Sequence, residues 1–265
     1  MIFDTHAHFD DDAFNEDRDA LLRGMKDNNV GLIVNVGASL QGAYDSLKLA
    51  KEYDFIYAAM GIHPSETGDL SLEDFDALCK VLEENAYYNG GKVLSVGEIG
   101  LDYYYSEPER DIQKKWFISQ LELARKVKLP IIIHSRDAAK DTLDILTSQN
   151  ASEIGGIIHC YSYSEEIAKE YLKMGFYFGI GGVLTFKNSV KLKEVVSMLP
   201  LDRIVLETDS PYLSPEPNRG KRNDSGNLKY VVKKISEIKG VSEEEVEKIT
   251  FDNARRVYRL DADIR

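Results

Sequence analysis

Cysteine is scarce in this chain: the two present, Cys79 and Cys160, stand far apart and outside any Cys-x-x-Cys spacing. That excludes a disulfide framework and a zinc knuckle, and it predicts reduced thiols. No long apolar run is present, and the first twelve residues are acidic rather than basic, so neither a signal peptide nor a membrane span is read and a cytoplasmic protein is expected. Positive charge is also in short supply. With 33 Lys and Arg against 45 Asp and Glu, the formal charge is −12, which repels polyanions on average; a nucleic-acid substrate needs local cations or metal to approach. Disorder is excluded, because 43% apolar and 29% charged residues supply an ordinary globular core. No polar linker or charge block splits the 265 residues, and a single domain over 1–265 is expected.

What the chain does have is alternation. Short β-branched runs at 2–5, 31–36, 56–60, 93–97, 130–133, 156–158, 176–180 and 203–208 read as strands. Amphipathic stretches at 16–28, 40–53, 71–85, 109–127, 137–147, 164–174, 189–199 and 227–238 read as the helix after each strand. Strict strand–helix alternation implies parallel strands joined by right-handed crossovers. Eight such units predict an α/β (β/α)8 TIM barrel, with an open doubly wound sheet as the competitor. A further helix at 242–256 opens on Ser242-Glu243-Glu244-Glu245, a capping-box pattern, and is expected to pack outside the barrel as a C-terminal addition.

Five histidines are present, and every one ends a predicted strand or its first loop: His6, His8, His63, His134 and His159. In extended backbone His6 and His8 point to one side, so both imidazoles can reach one ion. Core histidines explain one such placement well and five poorly, since in a barrel all these ends share the face on which active sites are built. Glu98 and Asp209 arrive at the same face, and imidazole with carboxylate suits zinc, manganese or iron better than magnesium. A carboxylate has two oxygens and can bridge two ions, a role assigned to Glu98. Asp209 alone also reads as a turn residue before Pro211; its company argues for a ligand. Asp4 and Glu207, two residues before proposed ligands, are expected to orient metal-bound histidines.

The segments Asp4-Thr5-His6-Ala7-His8-Phe9-Asp10, Gly61-Ile62-His63-Pro64, Gly97-Glu98-Ile99-Gly100-Leu101-Asp102-Tyr103, His134-Ser135-Arg136, His159-Cys160-Tyr161-Ser162 and Glu207-Thr208-Asp209-Ser210-Pro211-Tyr212-Leu213 together resemble the TatD family of metal-dependent deoxyribonucleases, within the amidohydrolase-like metallo-hydrolases. The resemblance implies one metal on His6, His8, Glu98 and Asp209 and a second on Glu98, His134 and His159. Zinc, magnesium and manganese all stay open as the two divalent ions. It also extends to Arg219-Gly220-Lys221-Arg222-Asn223, and departs at Ser225, where the family is expected to carry proline.

The activity implied is hydrolysis of DNA phosphodiesters, exonucleolytic on single strands, by a metal-activated water, with Glu98 and Asp209 as the catalytic carboxylates and Asp209 orienting the water and taking its proton. Arg136, Lys221 and Arg222 are the expected phosphate contacts, His63 the neighbour of the scissile group, and Tyr103, Tyr104 and Tyr105 a rim on which bases stack. For each cation a solvated surface position is the competing reading, and the tyrosines can equally pack under a loop. Two other classes stay open: a small-molecule ester, lactone or amide hydrolase, or an aminoacyl-tRNA ester hydrolase, on the same barrel; and an idle barrel that binds metal or a partner.

Overall fold

The structure, a computed structural model, describes residues 1–260. The eight strands are β1 (Ile2–Ala7), β2 (Val30–Val36), β3 (Ile56–Met60), β4 (Val93–Asp102), β5 (Ile131–Arg136), β6 (Gly156–Ile158), β7 (Tyr177–Ile180) and β8 (Ile204–Leu206). They join in chain order into a closed barrel, as the alternation predicted. The helices among the described residues are α1 (Arg18–Arg23), α2 (Leu40–Glu52), α3 (Leu72–Glu84), α4 (Arg110–Val127), α5 (Ala139–Ser148), α6 (Glu165–Lys173), α7 (Val190–Met198), α8 (Leu228–Lys239) and α9 (Glu243–Val257). The fold is therefore a TIM barrel with one added C-terminal helix, and no described helix is long and apolar enough to cross a membrane.

Contacts gather into two units. One holds, among the described residues, Met1–Val34, Cys160–Lys173 and 177–260. Within it β1 pairs with β8 in parallel, Asp4 opposite Leu206, and β7 pairs with β8 from Phe178–Ile204 to Ile180–Leu206. Helix α9 packs on β1 and β8. Its Asn253 amide donates to the carbonyls of Leu201 and Ile204, and Tyr258 Oη donates to the Thr5 carbonyl, so the added helix fastens the strands that carry two of the site's segments. The capping box is present: Ser242 Oγ accepts from the Glu245 N–H at 3.1 Å.

The other unit holds Asn35–His159 and Met174–Phe176. Here β4 pairs with β5 in register Gly100–His134, Leu101–Ser135 and Asp102–Arg136, and β5 pairs with β6 from Ile131–Gly156 to Ile133–Ile158. Strand β4 is buried along its whole length, as expected for a parallel strand covered on both sides. It continues past Gly97, where the sequence reading ended it, because glycine lets neighbouring backbone come close. A Cβ on Gly61 would sit 2.8 Å from the Gly97 carbonyl carbon. Likewise β5 runs on through His134 to Arg136, beyond the expected end at Ile133. Helix α1 is shorter than the expected 16–28: it stops at Gly24, and the chain closes through a 3₁₀ turn at Lys26–Asn28 and a left-handed Asn29.

Candidate metal centre

Two sets of nitrogen and oxygen donors sit at the C-terminal ends of strands, one in each unit. In the first, β1 presents His6 and His8 two residues apart on one side of the strand. Their Nε2 atoms are 3.2 Å apart. Asp209 follows β8 in the left-handed region at φ +56°, a conformation aspartate tolerates better than most residues, and its N–H donates to the His6 carbonyl at 2.9 Å. That turn brings Asp209 Oδ1 to 3.3 Å from His8 Nε2 and 3.8 Å from His6 Nε2. A tetrahedral ion with nitrogen and oxygen donors at roughly 2.0–2.2 Å has donor–donor edges of about 3.4 Å. The three separations bracket that value, so these residues fit a divalent ion.

The second set is Glu98, His134 and His159. Glu98 Oε1 lies 2.7 Å from His134 Nδ1 and 3.6 Å from His159 Nε2, with Glu98 and His159 buried. The other nitrogen of His134, Nε2, is 3.0 Å from Asp102 Oδ2. Burial pushes the His134 imidazole down, but the Glu98 charge and the hydrogen bonds to Asp102 and Glu98 outweigh it and raise the pKa to about 9. With protein charges alone, then, His134 is an imidazolium donating to a carboxylate at each nitrogen. An ion on Glu98 and His159 would take the place of the Nδ1 proton, while Asp102 keeps the Nε2–H and fixes the ring, the usual arrangement of carboxylate, histidine and metal.

Asp102 was not singled out from sequence, although it stands four residues after Glu98 and so on the same face of β4. Its second oxygen accepts from the Tyr104 N–H at 2.9 Å, joining His134 to the loop after β4. Two glutamines on α4, also unforeseen, grip the site's loops. Gln113 accepts from the Asp102 N–H and donates to the carbonyls of Asp102 and Pro108, all at 2.8–2.9 Å. Gln120 accepts from the Ile62 N–H at 2.7 Å and donates to the Ile62 carbonyl at 3.0 Å. Seven residues apart, the two lie on one face of the helix, and both are buried. Gln120 thereby seats His63, whose ring meets His134 edge-on at 4.3 Å. The Ser65 N–H and hydroxyl meet His63 Nδ1 at 3.1 and 2.8 Å and so fix the orientation of the ring.

Asp4 and Glu207, the carboxylates expected to orient histidines, bind backbone and hydroxyl donors. Asp4 accepts from the N–H groups of His6 and Thr208 and from the hydroxyls of Thr208 and Ser225, the last at 2.6 Å, tying β1 to the chain after β8. Burial raises its pKa to about 7 against those four donors. Ser225, where the family's proline was expected, is thus a buried donor to a buried carboxylate. Glu207 Oε1 accepts from the Cys160 N–H at 2.6 Å, in a space that only a glycine at 179 leaves open: a Cβ there would lie 1.9 Å from Glu207 Oε2.

The expected substrate contacts divide. Arg222 is engaged by Asp17 through two bonds of 2.6 and 2.7 Å and by the Ala13 carbonyl. Tyr103 is held by Asp141 through its hydroxyl and by Arg110 over its ring. The Arg136 guanidinium carbon lies over the Tyr104 ring, 3.7 Å from its centre, and Lys221 is exposed.

Comparison with known proteins agrees with this chemistry. The model of the TatD related DNase family matches residues 3–259. The uncharacterized metal-dependent hydrolase YabD of Bacillus subtilis is 44% identical over 98% of this chain and 100% of its own length. The uncharacterized metal-dependent hydrolase YcfH of Escherichia coli K12 is 34% identical over 99% of this chain and 97% of its own. The crystal structure of YJJV, a TatD homologue of E. coli K12, superposes with a TM-score of 0.89 at 28% identity, covering 98% of both chains. The chain belongs to the TatD family and is a metal-dependent hydrolase.

Proposed function

We propose that the protein hydrolyses phosphodiester bonds of single-stranded DNA, with one divalent ion on His6, His8 and Asp209 and another on Glu98, His134 and His159. The observation that carries the reading is the pair of donor sets at strand ends, in a chain whose matching family is described by a DNase. Ions held by these residues would acidify a water and compensate charge on the phosphoryl oxygens. The residues do the rest. Asp209 is a fifth exposed, and in this reading it orients the attacking water and accepts its proton. Glu98, a twentieth exposed, keeps the second pair of imidazoles aligned from a dry position. In this reading His63, its ring oriented by Ser65 at Nδ1, faces a phosphoryl oxygen. Lys221 adds an exposed cation for the phosphates.

A second reading draws on a specific feature. Beside His63, a cleft of about 440 Å³ is lined by Glu66, Asp69 and Glu107 together with Ser65, Gly68, Pro108 and Ile112. Its carboxylates repel a polyanion and favour a small neutral ester or lactone. One experiment separates the two. Metal-loaded protein is incubated with end-labelled single-stranded DNA and, in parallel, with neutral carboxyl esters, with a His6→Ala/His8→Ala protein as control. Shortening of DNA that the control abolishes supports the nuclease; ester turnover without DNA cleavage rejects it.

A further inference from the structure

We infer that Tyr104, Tyr105 and Arg136 form a platform that holds a nucleobase of the DNA strand beside the second donor set, an inference that rests on the DNase reading. The loop after β4 places three consecutive tyrosines at the surface, and the structure separates their duties. Tyr103 is spent on Asp141 and Arg110. Tyr104 and Tyr105 are 57% and 61% exposed, although burying such rings is strongly favourable. They meet edge to face at 4.8 Å and 88°, and the Arg136 guanidinium covers the Tyr104 ring at 3.7 Å. Rings and a guanidinium plane held open to solvent offer what a base stacks on, whatever its identity, with a cation at hand for its phosphate.

The platform is built rather than adventitious. Gln113 pins both ends of the loop, at Asp102 and Pro108, so that exposure of its tip does not come from a loose base. The Tyr103 N–H donates to the Arg136 carbonyl at 2.9 Å, which fixes loop and arginine to each other. The link to the donor set is direct. Arg136 follows His134 by two residues on β5, on the same side of the strand and about 7 Å along it. Asp102 accepts from the Tyr104 N–H with one oxygen and contacts His134 with the other. Charge sets the direction of approach: Glu107, at the far end of the loop, belongs to the acidic cleft, which turns phosphates away from that side and toward Arg136.

The test compares a 5′-labelled thymidine octamer with an abasic octamer of the same phosphate count, using metal-loaded protein. KM for the thymidine octamer is expected at least about tenfold below that for the abasic one, the order of a single base–aromatic stack. Tyr104→Ala is expected to erase the preference and Tyr104→Phe to restore it, because the ring and not the hydroxyl carries the contact. Cleavage of both octamers with equal KM, or a preference that Tyr104→Ala leaves intact, overturns the platform and leaves the DNase reading standing. Failure to cut either octamer overturns that reading and the platform with it.

Discussion

Ser225→Ala is expected to destabilise the metal-free protein more at alkaline than at acid pH. The Ser225 hydroxyl donates at 2.6 Å to Asp4, a fully buried carboxylate whose pKa burial raises from 3.8 to about 7. A carboxyl with a raised folded-state pKa contributes stability that is fully present below its unfolded value and is lost as pH rises through the folded value, here between about 4 and about 7. Near pH 5 Asp4 is protonated, and losing a neutral hydrogen bond costs about 1 kcal/mol. Near pH 8.5 it is ionised, and losing a donor to a buried charge costs about 2–3 kcal/mol. The variant's deficit should therefore grow by about 1–2 kcal/mol between the two conditions, because removing Ser225 moves the Asp4 pKa further up. Urea unfolding in chelator, with midpoint and slope fitted for both proteins at about pH 5 and about pH 8.5, reads this directly. Equal deficits at the two pH values would refute the reasoning, as would a deficit larger in acid.

Two further outcomes follow from the site. Asp102→Asn removes the anionic partner of His134 Nε2 and should weaken metal binding about 10- to 100-fold, read by competition against a chromophoric chelator; an unchanged affinity would show that Asp102 does not orient the ring. Gln120→Leu leaves the Ile62 N–H and carbonyl unpaired in the interior and should cost about 2–4 kcal/mol, read as a lowered urea midpoint, with a wild-type midpoint counting against the clamp.

Much of this arrangement was legible because period-2 patterning places residues on strand faces without knowledge of the fold. The barrel, its C-terminal helix and the histidines at strand ends all follow from local pattern. Strand ends were less legible. The expected strand stops at Gly97, yet β4 runs on to Asp102, paired with β5 from Ile99 onward, and at Gly97 a Cβ would lie 2.7 Å from the Ile132 Cβ. Pairings between distant segments were not legible at all. Arg222 looks like a free cation in its basic stretch, but Asp17, 205 residues away, engages it. No local pattern singles out Gln113 and Gln120; the loop backbone they meet explains their burial. Ser225 looked like a loss relative to the family's proline; Asp4, 221 residues away, gives it a partner.

The most direct test of the central claim is the metal content of gently purified protein, counted per folded chain. It should be measured beside a His6→Ala/His8→Ala protein and a His134→Ala/His159→Ala protein. About two ions are expected in the unaltered chain and about one fewer in each double variant. Less than one ion in the unaltered chain, or a content that neither double variant lowers, would contradict the account.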